Sequence, residues 1–395
     1  MRPKDLDYRV KKNPQRLGIR IQQHNSRKEM SVLSQNLPKQ PRVLSLFAGC
    51  GGMDLGIHMA GAKTVWANEF NPWASKTYRR YFSNTKLVEK SIEDVHLDQE
   101  LPKKGTIDLI IGGFPCQDFS MIWKRPGLNG TRGNLYTYFV ETVNRMQPLA
   151  FIAENVKGLL SANGGMAIRQ IKDDFLRCGY RIPNENIVVN FADYGVPQLR
   201  ERVLIVGIRE DLNKVFFKPP ASHASIEKCK TLKLKPYVSA KDALKNAEKV
   251  KSNNEHQKIL PSTRALLQEI PPGGNFSDVP KSHPHYVNGM ISHVYRRLHP
   301  DFPSTTIIAG GGGGTWGYHF KEPRPLTNRE RARLFGYPDE MVFEGPIAEV
   351  RRQIGNSVPP TGFKVIAEHL FGILRGDIAS PTPLQEGRLF MEKAA

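Results

Sequence analysis

The first 210 residues alternate short apolar runs with segments whose apolar positions recur at helical spacing. The runs are rich in branched side chains, as strands buried on both faces of a sheet are; they cover 43–46, 64–67, 107–111, 149–153, 187–190 and 203–208. Strands that alternate with amphipathic helices are typical of βαβ units. The pattern therefore predicts an α/β fold with a doubly wound, mostly parallel sheet of the Rossmann-like type.

Three of the intervening segments carry the helical pattern most clearly. The first predicted helix runs from about residue 54 through 59 and ends at Gly61, because glycine accepts the left-handed conformation of a helix C-cap. Residues 135–146 and 166–178 place their apolar positions on one face, as helices that cover a sheet do.

The composition changes after residue 215. Eleven lysines and four acidic residues occur from Lys214 to Lys258, and Pro, His and Gly become frequent through residue 325. A regular pattern returns at Thr327, which with Glu330 forms the capping box of a new helix. We therefore expect a basic extension (1–40), an α/β domain (41–215), a smaller inserted domain (216–325), a segment that returns to the α/β domain (326–380) and a tail (381–395).

The chain is strongly basic, with 57 Lys and Arg against 38 Asp and Glu and a formal net charge of +19. This excess suits a polyanionic partner, nucleic acid first and an anionic membrane surface second. No apolar run is long enough to span a membrane, and the N-terminus lacks the apolar stretch of a signal peptide. The four cysteines are widely spaced without a CxxC pair, which predicts a reducing cytoplasm and neither disulfides nor a bound metal.

A glycine-rich turn, Phe47-Ala48-Gly49-Cys50-Gly51-Gly52, follows the first apolar run. Glycines let a ligand approach the backbone, and the amide groups at a helix N-terminus favour negative charge. The second apolar run is followed by Glu69, about one βαβ step later, where an acidic residue commonly binds ribose hydroxyls. A surface carboxylate is the alternative for Glu69, but the spacing favours a nucleotide-type cofactor site.

A cysteine lies in the turn after the run 107–111, in the sequence Gly112-Gly113-Phe114-Pro115-Cys116-Gln117-Asp118-Phe119-Ser120. The glycines permit a sharp reversal, and the proline fixes φ just before the sulfur. Cys116 is therefore expected at the carboxyl edge of the sheet, where α/β proteins bind ligands. Taken alone, the turn is about equally consistent with two roles for Cys116, a catalytic nucleophile and a small buried hydrophobic side chain.

Glu154 follows the run 149–153 and is expected at the same edge if the strands are parallel. Its carboxyl group could protonate a ring nitrogen of a base that a thiolate attacks. Gln198, Arg200 and Arg202 alternate in an extended segment and share one face. Two guanidinium groups there suit a pyrimidine carbonyl and phosphates, and ion pairs with nearby acidic residues are the alternative.

The segment Gly-Phe-Pro-Cys-Gln resembles the catalytic turn of the DNA cytosine C5-methyltransferases, of the bacterial restriction-modification type. Further elements follow in the order of that family: the glycine turn, Glu69, Glu154-Asn155-Val156, Gln198-x-Arg200-x-Arg202 and Gly355-Asn356-Ser357. They cover roughly 43–210 and 325–372, whereas 1–40 and 216–325 show no such match. One departure is Ser91, which stands before Ile92 where the family usually has an acidic residue that contacts adenine.

The resemblance implies a reaction and a set of residues. Cys116 would attack C6 of a cytosine flipped out of duplex DNA, Glu154 would act at N3, and Arg200 and Arg202 would hold the base. S-adenosylmethionine would be the cofactor, bound by Phe47, Gly49, Gly51, Glu69, Ile92, Pro115, Leu135, Asn356 and Ser357. The inserted domain would recognise the DNA target, and the expected DNA contacts are Gln117, Ser120, Gln198, Arg296 and Arg297.

Two alternatives to a DNA methyltransferase stay open: a tRNA cytosine-5 methyltransferase and a catalytically silent DNA-binding relative. The inserted domain of about 110 residues favours duplex DNA, and the presence of Cys116 and Glu154 argues against a silent relative. The expected partner is double-stranded DNA, with no metal and no membrane. We further expect a monomer in the cytoplasm that protects DNA from a restriction endonuclease without forming a stable complex with it.

Overall fold

A computed structural model describes residues 36–115, 135–290, 294–310, 313–315 and 317–381. The strands are β1 (Arg42–Leu46), β2 (Lys63–Asn68), β3 (Lys86–Val88), β4 (Leu109–Gly112), β5 (Ala150–Val156), β6 (Tyr180–Arg181), β7 (Ile187–Asn190), β8 (Glu201–Arg209), β9 (His223–Ala224) and β10 (Lys235–Pro236). The α-helices are α1 (Gly52–Met59), α2 (Pro72–Tyr81), α3 (Ile92–Leu97), α4 (Leu135–Met146), α5 (Met166–Arg177), α6 (Ile226–Leu232), α7 (Ala240–Ala243), α8 (Pro261–Glu269), α9 (Asn328–Leu334), α10 (Ile347–Asn356) and α11 (Pro360–Arg375).

The strands β1 to β8 form one sheet in the order β3-β2-β1-β4-β5-β8-β6, with β7 also paired to β8. The pairs among β1 to β5 are parallel, whereas β8 is antiparallel to β5, β6 and β7. The mostly parallel, doubly wound sheet predicted from the sequence is confirmed. The strand order reverses between β1 and β4, where Leu46 lies opposite Gly112, so the glycine turn and the turn that leads to Cys116 begin side by side.

Side chains from alternate strand positions pack into one hydrophobic cluster on each face of the sheet. Leu44 and Leu46 of β1 contact the cluster under α3, α4 and α5, and Val43 contacts the cluster under α1 and α11. Full burial of such a side chain stabilises the fold by about 1.5–3 kcal/mol. Because both faces are covered, the longer strands of the sheet read as continuous apolar runs, which is why they could be predicted, whereas the short strands β3 and β6 were not.

The pairing of β5 with β8 fixes the position of Glu154. The sequence predicted a strand with Glu154 at its carboxyl end, and β5 indeed ends at Val156. Hydrogen bonding with β8 continues to the pair of Val156 and Arg202, so Glu154 lies inside the strand, opposite Leu204. Its side chain is therefore held by strand geometry and not by a turn.

The inserted domain contains shorter elements and a smaller core. Leu266, Leu267, Phe276 and Tyr318 belong to a hydrophobic cluster formed within residues 259–318, whereas Leu298 packs with residues of the return segment. The capping box is present: the Thr327 side chain accepts from the Glu330 amide, and the Glu330 carboxylate accepts from the Thr327 amide. The domain boundaries stay a prediction. No helix in the described ranges has the length and apolar character to cross a membrane.

Candidate active site

The backbone of the glycine turn leaves open space beside it. The φ angles are 54° at Phe47, 58° at Gly49 and 86° at Gly51, all in the left-handed region that favours glycine. A Cβ on Gly49 would meet no atom within 4 Å. Since α1 begins at Gly52, a ligand in this space would lie at a helix N-terminus.

Glu69 ties the glycine turn to the end of β2. Its Oε2 accepts a hydrogen bond from the Gly49 amide at 2.7 Å, and its Oε1 accepts one from the Asn71 amide at 2.8 Å. Burial raises the pKa of Glu69, and these amide donors oppose that effect. Each carboxylate oxygen keeps a second lone pair for a further donor such as a ribose hydroxyl. The ribose contact itself stays a prediction.

Phe70 is a candidate that the sequence analysis missed. Its side chain is 72% exposed although the preceding Glu69 is buried. An exposed aromatic ring beside a nucleotide-type site suits stacking on a base. The signal available in the sequence was the position of this phenylalanine directly after the acidic residue at the strand end.

The return segment packs directly against the glycine turn. A Cβ on Gly52 would overlap Ser357 Oγ, and the Ser357 hydroxyl is hydrogen-bonded to the Tyr337 hydroxyl. The Tyr337 oxygen also lies 3.4 Å from Cys50 Sγ. Ser357 is thus brought to the predicted cofactor site, and the neighbouring Asn356 is exposed at the end of α10.

Ile92 and Leu135 begin α3 and α4. The Ile92 side chain is buried in the core, and Leu135 is half-buried against the same cluster. Ser91 is the N-cap of α3, where its hydroxyl accepts from the Asp94 amide at 3.1 Å and donates to Asp94 Oδ2 at 2.8 Å. Core packing accounts for both hydrophobic side chains, so their cofactor contacts stay predictions.

Two contacts bring β5 to the turn that leads to Cys116. Asn155 Nδ2 donates to the Phe114 carbonyl at 3.0 Å. A Cβ on Gly113 would lie 2.9 Å from Glu154 Oε2, so a glycine there permits this close approach. Pro115 is exposed at the end of the described segment. The predicted site residues Cys116, Gln117 and Ser120 lie outside the described residues.

Glu154 is buried and paired with an arginine on the neighbouring strand. It is 8% exposed, and its Oε1 lies 2.8 Å from Arg202 Nε. Burial raises the pKa of Glu154, while the positive charges of Arg202 and Arg200 oppose that rise. A carboxyl group with a raised pKa holds its proton closer to neutral pH, as a general acid must.

Arg202 also lines a surface depression next to this ion pair. The other lining residues are Lys157, Asn190, Leu199, Glu201 and Thr306. Lys157 Nζ contacts Glu201 Oε2 at 3.0 Å, and the Thr306 hydroxyl donates to the Leu199 carbonyl at 2.7 Å. A segment of the inserted domain therefore borders the depression that Arg202 lines, which sequence spacing alone could not reveal because Thr306 is more than 100 residues from Leu199.

Arg200 lies in the interior and connects two distant segments. It is 2% exposed. Its Nη1 donates to the Ile307 carbonyl at 3.2 Å, and its Nη2 donates to the carbonyls of Gly355 at 3.0 Å and Ser357 at 2.9 Å. These bonds give Arg200 a structural role, and its contact with the base stays a prediction.

Gln198 is fully buried, and its DNA contact stays a prediction. Its Nε2 donates to the Leu334 carbonyl, and its Oε1 accepts from the Ile307 amide, both at 3.3 Å. Of the three alternating residues, only Arg202 reaches the surface depression.

Arg296 and Arg297 have different environments. Arg297 is 7% exposed, and its guanidinium group donates to the carbonyls of four residues, Leu267, Ile270, His319 and Phe320. Arg296 is exposed. The structure gives Arg297 a structural role, and the DNA contacts of both arginines stay predictions.

The described cysteines lack the features of a nucleophile. Cys50, Cys178 and Cys229 are buried free thiols. Burial raises the pKa of Cys50 to about 11 and that of Cys178 to about 12, so these two thiols stay protonated near neutral pH. Within the part of the chain that the structure describes, no group of three or more His, Cys, Asp or Glu residues is placed to hold a metal ion.

Comparisons with known proteins agree on one family. Residues 41–372 match the family model described as C-5 cytosine-specific DNA methylase. The Type II methyltransferase M.NgoFVII of Neisseria gonorrhoeae is 54% identical over 88% of this chain and 90% of its own length. M.BbvI of Brevibacillus brevis, also a Type II methyltransferase, is 38% identical over 82% and 88%.

Solved structures share the fold. A prophage-encoded protein of E. coli, described as a DNA modification methyltransferase, superposes with a TM-score of 0.64 at 24% identity, over 85% of this chain and 99% of its own. The Dnmt2 methyltransferase of S. pombe gives a TM-score of 0.55 at 18% identity, over 86% and 100%.

Proposed function

The chain belongs to the family of C-5 cytosine-specific DNA methylases and is a DNA cytosine-5 methyltransferase; from this premise we propose that it methylates one cytosine within a short, specific sequence of double-stranded DNA through a covalent Cys116–C6 adduct. The observation that carries the proposal is the position of Glu154. This buried acid is paired with Arg202 and lies against Gly113, three residues before Cys116.

The residues around the glycine turn fit S-adenosylmethionine. The space at Gly49 is open, the N-terminus of α1 faces the same turn, and Phe70 offers an exposed ring beside Glu69. Glu69 would hold the ribose, and Ser357 would close the site at Gly52. When bound, S-adenosylmethionine supplies the methyl group that C5 of the cytosine accepts.

The chain's own residues account for the remaining chemistry. The target base must leave the helical stack, because C6 cannot be reached inside a duplex. The Cys116 thiolate would add to C6, and Glu154 would place its proton at N3, where the electron pair of the broken double bond arrives. Arg202 would orient Glu154. Loss of the C5 proton to water would then restore the ring and expel the Cys116 sulfur.

The relatives suggest the biological setting. M.NgoFVII and M.BbvI are named Type II methyltransferases, so we infer that this enzyme modifies DNA within a restriction-modification system. The inserted domain (216–325) would select the target, and Arg296 is the exposed arginine candidate for a base or phosphate contact. We expect a cytoplasmic monomer that needs no stable complex with an endonuclease. A tRNA substrate stays the alternative, and the likeness to the S. pombe Dnmt2 methyltransferase shows the fold alone.

Bisulfite sequencing tests the proposal. Purified enzyme is incubated with S-adenosylmethionine and unmethylated genomic DNA, and with tRNA in parallel. We expect methylated cytosines within one short DNA motif. Cys116→Ser should lower methyl transfer by about 10³-fold or more while DNA binding persists. Cys178→Ala and Cys229→Ser, at buried cysteines outside the site, should methylate the same motif. Methylation of tRNA alone, or substantial turnover by Cys116→Ser, would contradict the proposal.

A further inference from the structure

Arg200 connects two segments that the proposed function assigns to different ligands. We propose that Arg200 is a positioning residue that couples DNA docking at the inserted domain to cofactor binding at the return segment. The inference rests on the proposed function, because it takes residues 304–309 as the DNA side and residues 355–357 as the cofactor side. In this role Arg200 acts through the two segments and does not depend on touching either ligand.

The contacts of Arg200 require a guanidinium group. Its two terminal nitrogens reach the carbonyl of Ile307 on one segment and the carbonyls of Gly355 and Ser357 on the other, at 2.9–3.2 Å. The group also lies 4.8 Å from the centre of the Phe335 ring. Hydrogen bonds from a charged donor are roughly twice as strong as neutral ones. A lysine ammonium is a single point of charge and cannot span the same set of carbonyls.

The segment on the DNA side is hydrogen-bonded to residues 197–199, which directly precede β8. The Ser304 amide donates to the Pro197 carbonyl at 3.0 Å, and the Leu199 amide donates to the Ser304 carbonyl at 2.8 Å. Two residues later, Thr306 lines the depression beside Arg202. DNA that enters this depression would therefore press on the backbone that Arg200 holds through Ile307.

The segment on the cofactor side touches the same backbone. A Cβ on Gly355 would overlap the backbone of Ala309, and Ser357 lies against Gly52 at the glycine turn. A shift of residues 304–309 would therefore be transmitted to Ser357 by a direct contact and by the shared guanidinium group. Coupling between two ligands is reciprocal, so each ligand should strengthen the binding of the other by the same factor.

A binding cycle measures this coupling. The dissociation constant of S-adenosylhomocysteine is determined by calorimetry with the full-length protein, first alone and then with saturating duplex DNA that contains the target motif. In the wild type, DNA should tighten binding by about 5- to 150-fold, the usual range of coupling between sites. In Arg200→Lys this factor should fall towards one. The affinity for S-adenosylhomocysteine measured without DNA should change by a smaller ratio than the coupling factor does.

Arg297→Lys is the matched control. Arg297 is also buried and also holds backbone carbonyls, but all of them belong to the inserted domain. Arg297→Lys should lose stability and keep the wild-type coupling factor. A loss of coupling in Arg200→Lys can then be distinguished from a general loss of stability. A wild-type factor near one, a wild-type factor retained in Arg200→Lys, or an equal loss in Arg297→Lys would each overturn the inference.

Hydrogen exchange on the wild type keeps the proposal testable if Arg200→Lys does not fold. S-adenosylhomocysteine alone should slow exchange of amides in 304–309, and DNA alone should slow exchange in 355–358. Absence of both cross-effects refutes the coupling. The proposed function is judged separately, because an enzyme without coupling would still methylate its motif.

Discussion

In the α/β domain, apolar side chains from alternate strand positions pack on two faces of one sheet, whereas in the inserted domain the buried Arg297 donates to the carbonyls of neighbouring loops. Val43 and Leu44 show the first arrangement, since adjacent residues of β1 enter opposite clusters. Arg297 shows the second, with four carbonyl partners inside residues 267–320. The first region has an apolar core on each face of its sheet, whereas the second combines a smaller apolar cluster with hydrogen bonds from a buried arginine to the backbone.

Hydrogen bonds from a buried arginine to backbone carbonyls also join the inserted domain to the return segment. Arg329 is fully buried, and its guanidinium group donates to the carbonyls of Ser252, Pro338 and Met341. Loops that lack a ladder of strand hydrogen bonds leave backbone carbonyls to be satisfied, and an arginine has five donors with which to do so. We infer that substitutions in the α/β site will change the chemistry, whereas loss of a buried arginine elsewhere will first change stability.

Glu154→Gln should show the largest effect. The amide keeps the shape of the side chain but has no proton to give to N3, so the rate of methyl transfer should fall by about 10²- to 10⁴-fold. Because the pKa of Glu154 is raised by burial, the wild-type rate should fall as the pH rises through that raised pKa. Single-turnover rates across a pH series measure both effects.

The control for Glu154→Gln is cofactor affinity and thermal stability, both of which should change little. If the variant methylates DNA at a near-normal rate, Glu154 is only a structural partner of Arg202. If it melts before it can be assayed, the proposed separation of chemistry from stability in the α/β domain is wrong.

Arg297→Gln should show the next largest effect, on stability. The change leaves up to four buried carbonyls without their charged donor, and each unsatisfied group costs about 1–3 kcal/mol. We expect a loss of at least about 3 kcal/mol, measured by urea unfolding and by faster hydrogen exchange in 266–279. Arg296→Gln, one residue away and exposed, should change stability by no more than about 0.5 kcal/mol and should instead weaken DNA binding. If Arg296→Gln destabilises the protein as much as Arg297→Gln does, the stabilising role assigned to the carbonyl bonds of Arg297 is wrong.

The same contrast explains how much could be predicted from the sequence. Burial on both faces of the sheet leaves continuous apolar runs, so six of the strands and the helix Leu135–Met146 could be predicted. The strands of two or three residues, β3, β6, β9 and β10, are too short to leave such a run and were not predicted. The turn after β4 and Glu154 were found because strand ends in a parallel sheet meet at one edge. The burial of Gln198, Arg200 and Arg297 was missed, because an arginine that will bind carbonyls far along the chain looks the same as one that will bind DNA.

Asp54 provides the smallest expected effect and the clearest dependence on pH. This buried carboxylate of α1 accepts hydrogen bonds from the hydroxyls of Ser45, Thr64 and Tyr78 at 2.8–2.9 Å. Burial nevertheless raises its pKa from 3.8 to about 6. The folded state therefore binds the proton more tightly than the unfolded state does. This contribution to stability is complete below about pH 4 and is lost as the pH rises through about 6.

Asp54→Asn removes that titration. Between pH 4 and pH 7 the wild type should lose up to about 3 kcal/mol of unfolding free energy relative to Asp54→Asn. Urea unfolding at several pH values measures it, and Asp173→Asn, at an exposed aspartate of α5, controls for the loss of one negative charge. A difference that stays constant from pH 4 to pH 7 would show that the three hydroxyl donors fully compensate the burial of Asp54.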